Sequence, residues 1–133
     1  MASIQVKRVL AELNAVVERQ MVAFASSVLT TLTSAPSQGG TPRKTGWAAS
    51  NWVINIGGGG TAVIGSKDSV NFSAQNASRG KLRGYRIRQG ELSVDNNAPH
   101  IARLNAGSST QAAPNFIQAA IARGVAAAAK VKK

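Results

Sequence analysis

The sequence lacks most of the residue types that carry chemistry. It contains no cysteine, which excludes disulfides and thiolate ligands. Its single histidine, His100, and its few acids form no evident acid/base pair or metal site, and no serine has the surroundings of a nucleophile elbow. The acids are Glu12, Glu18, Asp68, Glu91 and Asp95. We therefore expect no enzyme activity, no catalytic residues, no cofactor and no metal.

Long apolar runs are also missing. No stretch approaches the ~20 apolar residues that span a bilayer, and the beginning lacks the pattern of a secretory signal. We expect a protein that is used in a cytoplasm-like compartment and has no membrane partner. A length of 133 residues predicts one domain. Because the apolar residues are mostly Ala and Val, contacts with other chains are expected to supply part of the stability.

Positive charge is in excess. Lys and Arg number 16 against five acids, and the formal net charge is +11. This charge favours a polyanionic partner, either nucleic acid or an acidic protein surface. The alternative is a charge that only aids solubility.

Residues 3–32 predict one long helix, because apolar residues recur at three- and four-residue steps. Ser3 is the expected N-cap, and a break is conceivable at Ser26 and Ser27. Unbroken, the helix would be ~43 Å long, which exceeds the ~36 Å diameter of such a domain. An overhanging apolar stripe needs a neighbour, so this helix predicts oligomerisation. The expected interface residues on it are Leu13, Val17, Met21 and Phe24.

Residues that favour turns and helix caps are concentrated just before the second tryptophan. Pro42, Thr45 and Gly46 predict a turn or short helix that changes to a strand near Trp52. Trp47 and Trp52 are five positions apart and do not share one face of a helix or strand. One ring is expected in the core and the other at an edge or a partner. The alternative is that both rings fill the core.

Residues 52–56 and 61–65 are apolar runs on either side of four glycines, which predicts a long β-hairpin. No Gly-Lys-Ser/Thr and no helix follow the glycines, which argues against a nucleotide-binding loop. We expect the hairpin tip to make subunit contacts. The tip consists of Gly57, Gly58, Gly59 and Gly60.

Five cations fall within ten residues, after a polar stretch that predicts a loop or a short helix at 70–77. Their spacing predicts an extended ribbon with several cations on one side, in which Tyr85 could stack on a base. Such a ribbon would contact nucleic acid; the alternatives are docking on an acidic partner ring and a solvated basic loop. The cations are Arg79, Lys81, Arg83, Arg86 and Arg88.

The remainder predicts a half-buried strand at 91–95, a turn at 96–99 and a short helical segment at 100–106. Ile101 and Leu104 are expected to face inward, with Gly107 ending the segment. Pro114 suits the first turn of a final helix. Its apolar stripe is Phe116, Ile117, Ala120, Ile121 and Val125.

These segments together predict an α+β domain over residues 1–133. It has a long N-terminal helix at 1–33 and a flexible connection at 34–40. A small antiparallel sheet follows at 41–95, with the long hairpin and the basic loop. A turn and a C-terminal helix with a basic tail occupy 96–133.

Two separated segments resemble one family. Thr41-Pro42-x-x-Thr45-Gly46, followed by Ser50-Asn51-Trp52, resembles the Thr-Pro-x-Asp-Thr-Gly…Ala-Ser/Asn-Trp signature of small tail-completion or head–tail joining proteins of tailed bacteriophages. Asn96-Asn97-Ala98-Pro99, with Ala102-Arg103-Leu104 and Gly107, resembles the Asn-Asn-Ala-Pro-Tyr-Ala-x-x-Leu-Glu-x-Gly of that family. Pro114 and Phe116 resemble its entry into the last helix. The chain departs from the family at Lys44 (usually Asp), His100 (usually Tyr) and Asn105 (usually Glu).

The resemblance implies a virion structural protein of the neck or tail, assembled in the host cytoplasm. Copies would form a ring of six that docks between a portal-side adaptor or stopper ring and the tail terminator or tail tube, with DNA passing through the channel. Such ring contacts are heterologous and close on themselves. The alternatives are a basic nucleic-acid-binding protein and a minor tail or baseplate subunit of the same fold.

Overall fold

The computed structural model describes residues 5–43, 46–58 and 72–131. Its regular elements are α1 (Val6–Leu32), β1 (Trp52–Ile56), α2 (Ser73–Arg83), β2 (Leu92–Asn96), α3 (Ile101–Asn105) and α4 (Phe116–Ala129). Short 3-10 turns lie at Pro36–Gln38, Ala49–Asn51 and Ile87–Gln89. The predicted α+β class, with a long N-terminal helix, a small antiparallel sheet and a C-terminal helix, is confirmed.

The first helix, α1, is unbroken over 27 residues, a length of ~40 Å at 1.5 Å per residue. It continues through Ser26 and Ser27 because Ala25 and Val28 on either side are buried, and packing overrides the weak helix propensity of serine. All the buried residues of α1 lie in its second half. The predicted N-cap, Ser3, lies outside the described residues.

The sheet has one polar and one apolar face. Trp52 lies opposite Asn96 and Ile56 lies opposite Leu92 in the antiparallel register. The strand predicted at 52–56 is confirmed, and the strand predicted at 91–95 lies one residue later, so that Asn96 ends the strand instead of beginning the turn. On the polar face, the Asp95 carboxylate accepts hydrogen bonds from Asn55 Nδ2 at 2.6 Å and Ser93 Oγ at 2.7 Å. The apolar face faces the helices through Trp52, Ile54, Leu92 and Val94.

Side chains of α2 close the second edge of β1. The Ile54 N–H donates to Ser78 Oγ at 3.0 Å, and Gln75 Nε2 donates to the Trp52 carbonyl. Gln75 and Ser78 are both buried. They occupy backbone groups that a further strand would need at this level of β1. The return strand predicted at 61–65 lies outside the described residues.

The prediction of an extended basic ribbon is wrong for its first half, which is the end of α2. The helix forms because Gln75, Ser78 and Leu82 share one buried face. Two of these three residues are polar, so the sequence shows no apolar helical repeat here. Tyr85 then follows, 2% exposed, with its hydroxyl donating to the Gly90 carbonyl at 2.8 Å. Tyr85 therefore fastens the loop after α2, and the prediction that it stacks on a base is also wrong.

The connection at residues 34–40 is an ordered turn, which corrects the expected flexible linker. Arg123 of α4 donates from Nη1 to the Gln38 carbonyl at 2.8 Å. A β-carbon at Gly40 would lie 1.7 Å from the Ser34 carbonyl oxygen. Glycine is required at this position because two backbone segments approach each other closely. In the sequence, a glycine required for close packing looks the same as a glycine in a flexible linker.

The last helix packs along the second half of α1. At Gly124 a β-carbon would meet Val28 Cγ2 at 2.8 Å and Phe24 Cδ2 at 2.9 Å, so the missing side chain lets the two helices approach closely. The helix begins two residues after Pro114, which precedes the first turn. Residues buried in the core or packed against it include Leu29, Leu32, Trp52, Ile54, Leu82, Ile101, Leu104, Phe116 and Ala120.

Candidate subunit interface

The two segments that carry the family resemblance meet in the fold, and Thr41 anchors the first of them. Its hydroxyl donates to the Leu32 carbonyl at 2.8 Å and accepts from Trp52 Nε1 at 2.8 Å. Its backbone N–H donates to the same Leu32 carbonyl at 3.0 Å. Thr41 is fully buried, so it satisfies the end of α1 and fixes the indole ring of Trp52 against the core.

Asn96 connects the second segment to the first. Its Nδ2 donates to the Ala48 carbonyl at 2.8 Å, and its Oδ1 accepts from the Ala98 N–H at 2.9 Å. The rings of Trp47 and His100 lie 5.5 Å apart and are tilted by 36°. Trp47 is half-buried while Trp52 is in the core, which confirms the prediction of one core ring and one edge ring.

A third contact involves one of the departures from the family pattern. Asn105 Oδ1 accepts from the Ile117 N–H at 3.0 Å, and the Asn105 carbonyl accepts from the Asn115 N–H at 2.7 Å. Asn105 therefore caps the first turn of α4 from outside the helix. His100, a second departure, packs on Trp47, and Lys44 lies outside the described residues.

The motif residues are mostly structural. Pro42, Gly46, Trp52 and Ala98 are buried, Asn96, Asn97 and Leu104 are half-buried, and Pro99 is exposed. Gly46 and Gly107 have φ of 85° and 106°, the left-handed region in which glycine is unstrained. Thr45 lies outside the described residues. Of the motif residues, Trp52 and Asn96 join the segments to the core and to each other through their side-chain hydrogen bonds.

An exposed apolar stripe covers the first half of α1. Residues 5–14 are all exposed. Five exposed aliphatic residues in this half of the helix lie within about 100° of its circumference; they are Val6 (66% exposed), Val9 (42%), Leu10 (52%), Leu13 (55%) and Val17 (42%). These five residues are named the α1 stripe. Scattered exposed aliphatics are ordinary, but a contiguous row marks a contact surface.

The α1 stripe runs into an open groove of about 450 Å³, named the α1–α4 groove. Its walls are the second half of α1, the apolar face of the sheet and α4. Among the described residues that line it, Gln20 is the one polar residue. Ile121 and Val125, two residues of the apolar stripe predicted for the last helix, are 43% and 58% exposed at this groove. The other apolar lining residues include Met21, Phe24, Trp52 and Val94.

All four residues predicted for the helix interface therefore lie on one continuous apolar surface. Leu13 and Val17 belong to the α1 stripe, and Met21 and Phe24 line the groove. The groove itself was missed. The short predicted strands could have indicated it, because a five-residue strand is only ~17 Å long and two such strands do not cover the apolar faces of two longer helices.

The predicted hairpin tip is described only in part. Gly57 and Gly58 are exposed, with φ of 88° and 141°. Gly59 and Gly60 lie outside the described residues.

The basic residues are divided between solvent and structure. Arg79 leans on α1, where its Nη2 lies 3.3 Å from Thr30 Oγ1. Lys81 and Arg83 are in the last turn of α2, where cations offset the negative end of the helix dipole. Four of the five predicted cations are exposed: Lys81, Arg83, Arg86 and Arg88.

Comparison with protein-family models, curated proteins and solved structures finds no significant match. No helix within residues 5–43, 46–58 and 72–131 has the length and hydropathy to cross a bilayer. The same residues contain no group of three His, Asp or Glu side chains placed to hold a metal ion.

Proposed function

We propose that this protein is a structural subunit of a tailed-bacteriophage neck, in which copies assemble into a ring that joins the tail to the head. One observation carries the proposal: the α1 stripe and the α1–α4 groove form a continuous apolar surface that a single copy leaves uncovered. The uncovered surface supports self-association. The resemblance of residues 41–52 and 96–107 to neck proteins supports the location.

The size of the stripe favours a closed ring over a pair. Fully burying a Val or Leu side chain contributes ~1.5–3 kcal/mol, so covering five half-exposed ones contributes about 4–8 kcal/mol. Association of two proteins costs ~4–15 kcal/mol. One contact is therefore weak, whereas each copy in a closed ring makes two contacts. The net charge of +11 opposes association, so salt should strengthen it.

The mechanism is docking. The ring fixes the symmetry of the junction, and the exposed surfaces of each copy meet the rings above and below. Exposed Lys81, Arg83, Arg86 and Arg88 suit an acidic partner ring or DNA in the channel.

The proposal is tested by joining heads to tails in vitro. Heads and tails prepared without this protein should remain separate, and adding it should produce joined particles that negative-stain electron microscopy counts. The Leu13→Asp/Val17→Asp variant is the matched control and should not join them. Equal joining with and without the protein would remove the neck role.

A second candidate is binding to nucleic acid, which the exposed cations after α2 favour. It predicts a DNA affinity that falls steeply as salt rises. Self-association through an apolar surface between basic copies should instead become stronger as salt rises. Fluorescence anisotropy of labelled DNA, measured beside the oligomeric mass at each salt concentration, therefore separates the two functions.

A further inference from the structure

We infer that the occupant of the α1–α4 groove is the α1 stripe of a second copy of this chain. This inference rests on the proposed ring and names the surfaces that would build it. Each copy carries one stripe and one groove, so the contact is heterologous and propagates from copy to copy until it closes.

The two surfaces have matching lengths. The α1 stripe extends from Val6 to Val17, eleven residue steps or ~17 Å of helix. Along α1 the groove is lined from Gln20 to Leu32, which is twelve steps and ~18 Å. A helical segment of this length can lie along the full groove, in the manner of an amphipathic helix bound in an apolar groove.

The chemistry of the two surfaces also matches. Lys7, Arg8 and Glu12 lie on other sides of α1 from the stripe, and Arg8 pairs with Glu12 at 3.6 Å on the exposed surface. The described lining of the groove is apolar apart from Gln20. Docking therefore removes aliphatic side chains from water and leaves the charged groups hydrated, which avoids the cost of burying a charge.

The buried area predicts a weak pair. Half the wall of a 17 Å helical segment that is 10–12 Å across is about 300 Å². A stable interface buries about 800 Å² on each partner. A stripe in a groove therefore gives a transient pair, and the closed ring is the form in which every stripe and every groove is covered.

A cysteine cross-link tests this docking directly, because the chain has no native cysteine. Leu13→Cys lies near the middle of the stripe and Val125→Cys near the middle of the groove, both at exposed positions. Within one copy they are far apart. Gly124 lies beside Phe24, which is eleven residues and ~16 Å along α1 from Leu13. A disulfide needs Cα atoms about 4.4–6.8 Å apart, so any bond forms between copies.

A mixture of the Leu13→Cys and Val125→Cys proteins should give cross-linked dimers under mild oxidation, and each variant alone should stay monomeric on a non-reducing gel. The double variant should give a ladder of multimers. The control pairs Leu13→Cys with Ala119→Cys, an exposed position on another side of α4, and should cross-link at the background level.

The outcomes separate this docking from the proposed neck role. Cross-linking of Leu13→Cys alone would show that stripes pack on each other, and cross-linking no stronger than the Ala119→Cys control would refute the groove as the site. If the wild-type protein forms a ring in either case, the ring stands and this docking is overturned. If the ladder forms but the protein joins no heads to tails, the docking stands and the neck role fails.

Discussion

Replacing Thr41 with Val tests the contact that unites the end of α1 with the core. Valine has nearly the same shape, so the main loss is the hydroxyl. Trp52 Nε1, 2.8 Å from that hydroxyl, becomes a buried donor without a partner, at a cost of about 1–3 kcal/mol. The Leu32 carbonyl keeps the Thr41 N–H at 3.0 Å, so its loss is smaller, about 0.5 kcal/mol. We expect destabilisation of about 2–3 kcal/mol, or roughly 6–12 °C in Tm.

The assay is urea denaturation followed by circular dichroism, repeated at several protein concentrations because self-association adds to apparent stability. Thr41→Ser keeps the hydroxyl and should cost less than about 1 kcal/mol. A double-mutant cycle with Trp52→Phe should give a coupling energy of about 1–2 kcal/mol, since removing both partners leaves no unpaired donor. A Thr41→Val variant that is as stable as Thr41→Ser would refute the assigned role.

Four further predictions follow from named contacts. Asn105→Ala should cost ~1 kcal/mol in a denaturation assay, whereas Asn105→Asp should be close to wild type because it keeps the acceptor at the positive end of α4; equal losses would contradict the capping role. Gly124→Val should destabilise by ~1–3 kcal/mol through overpacking against Val28 and Phe24, while Ala119→Val on the exposed face should cost less than about 1 kcal/mol by the same assay. Leu13→Asp/Val17→Asp should abolish the ring in solution and leave the circular dichroism spectrum unchanged; a surviving ring would exclude the α1 stripe from the interface. Arg83→Ala/Arg86→Ala/Arg88→Ala should lower DNA affinity and reduce the salt slope by about 1 for each phosphate that is no longer neutralised, with a small fall in Tm because Arg83 no longer offsets the negative end of α2; an unaltered slope would remove these arginines from any DNA site.

Periodicity was enough to predict the elements whose burial follows a simple repeat. The three- and four-residue spacing in α1 and α4, the apolar run in β1 and the alternation in β2 are strong signals because one face of each element packs against the core. The pairing of the two motif segments through Asn96 was not predictable, since it depends on a register that brings residues 44 positions apart in sequence into contact.

The basic segment shows where local patterns mislead. Gln75 and Ser78 are polar, yet they are buried because β1 offers an unpaired edge that their side chains can satisfy. The alternating cations suggested an extended ribbon. The segment forms a helix because this places the hydrogen-bonding side chains of Gln75 and Ser78, together with the apolar Leu82, on one face against β1. A single sequence does not reveal these hydrogen bonds, because they form only when the strand and the helix pack together.

The candidate interface was half predictable for a related reason. Periodicity assigned Leu13 and Val17 to an apolar face, and the length of α1 indicated that part of this face would be uncovered. The same reasoning grouped Ile121 and Val125 with Phe116 and Ala120 in one apolar stripe, yet Phe116 and Ala120 are buried while Ile121 and Val125 are exposed. An apolar repeat identifies which face of a helix is apolar. It does not show whether other elements of the same chain cover that face.

The most direct measurement is the mass of the nuclease-treated protein by native mass spectrometry over a range of concentrations and ammonium acetate strengths. We expect one closed ring of defined copy number, more populated as salt rises, beside a monomeric Leu13→Asp/Val17→Asp control. A wild-type protein that stays monomeric at every concentration and salt strength would contradict self-association through α1.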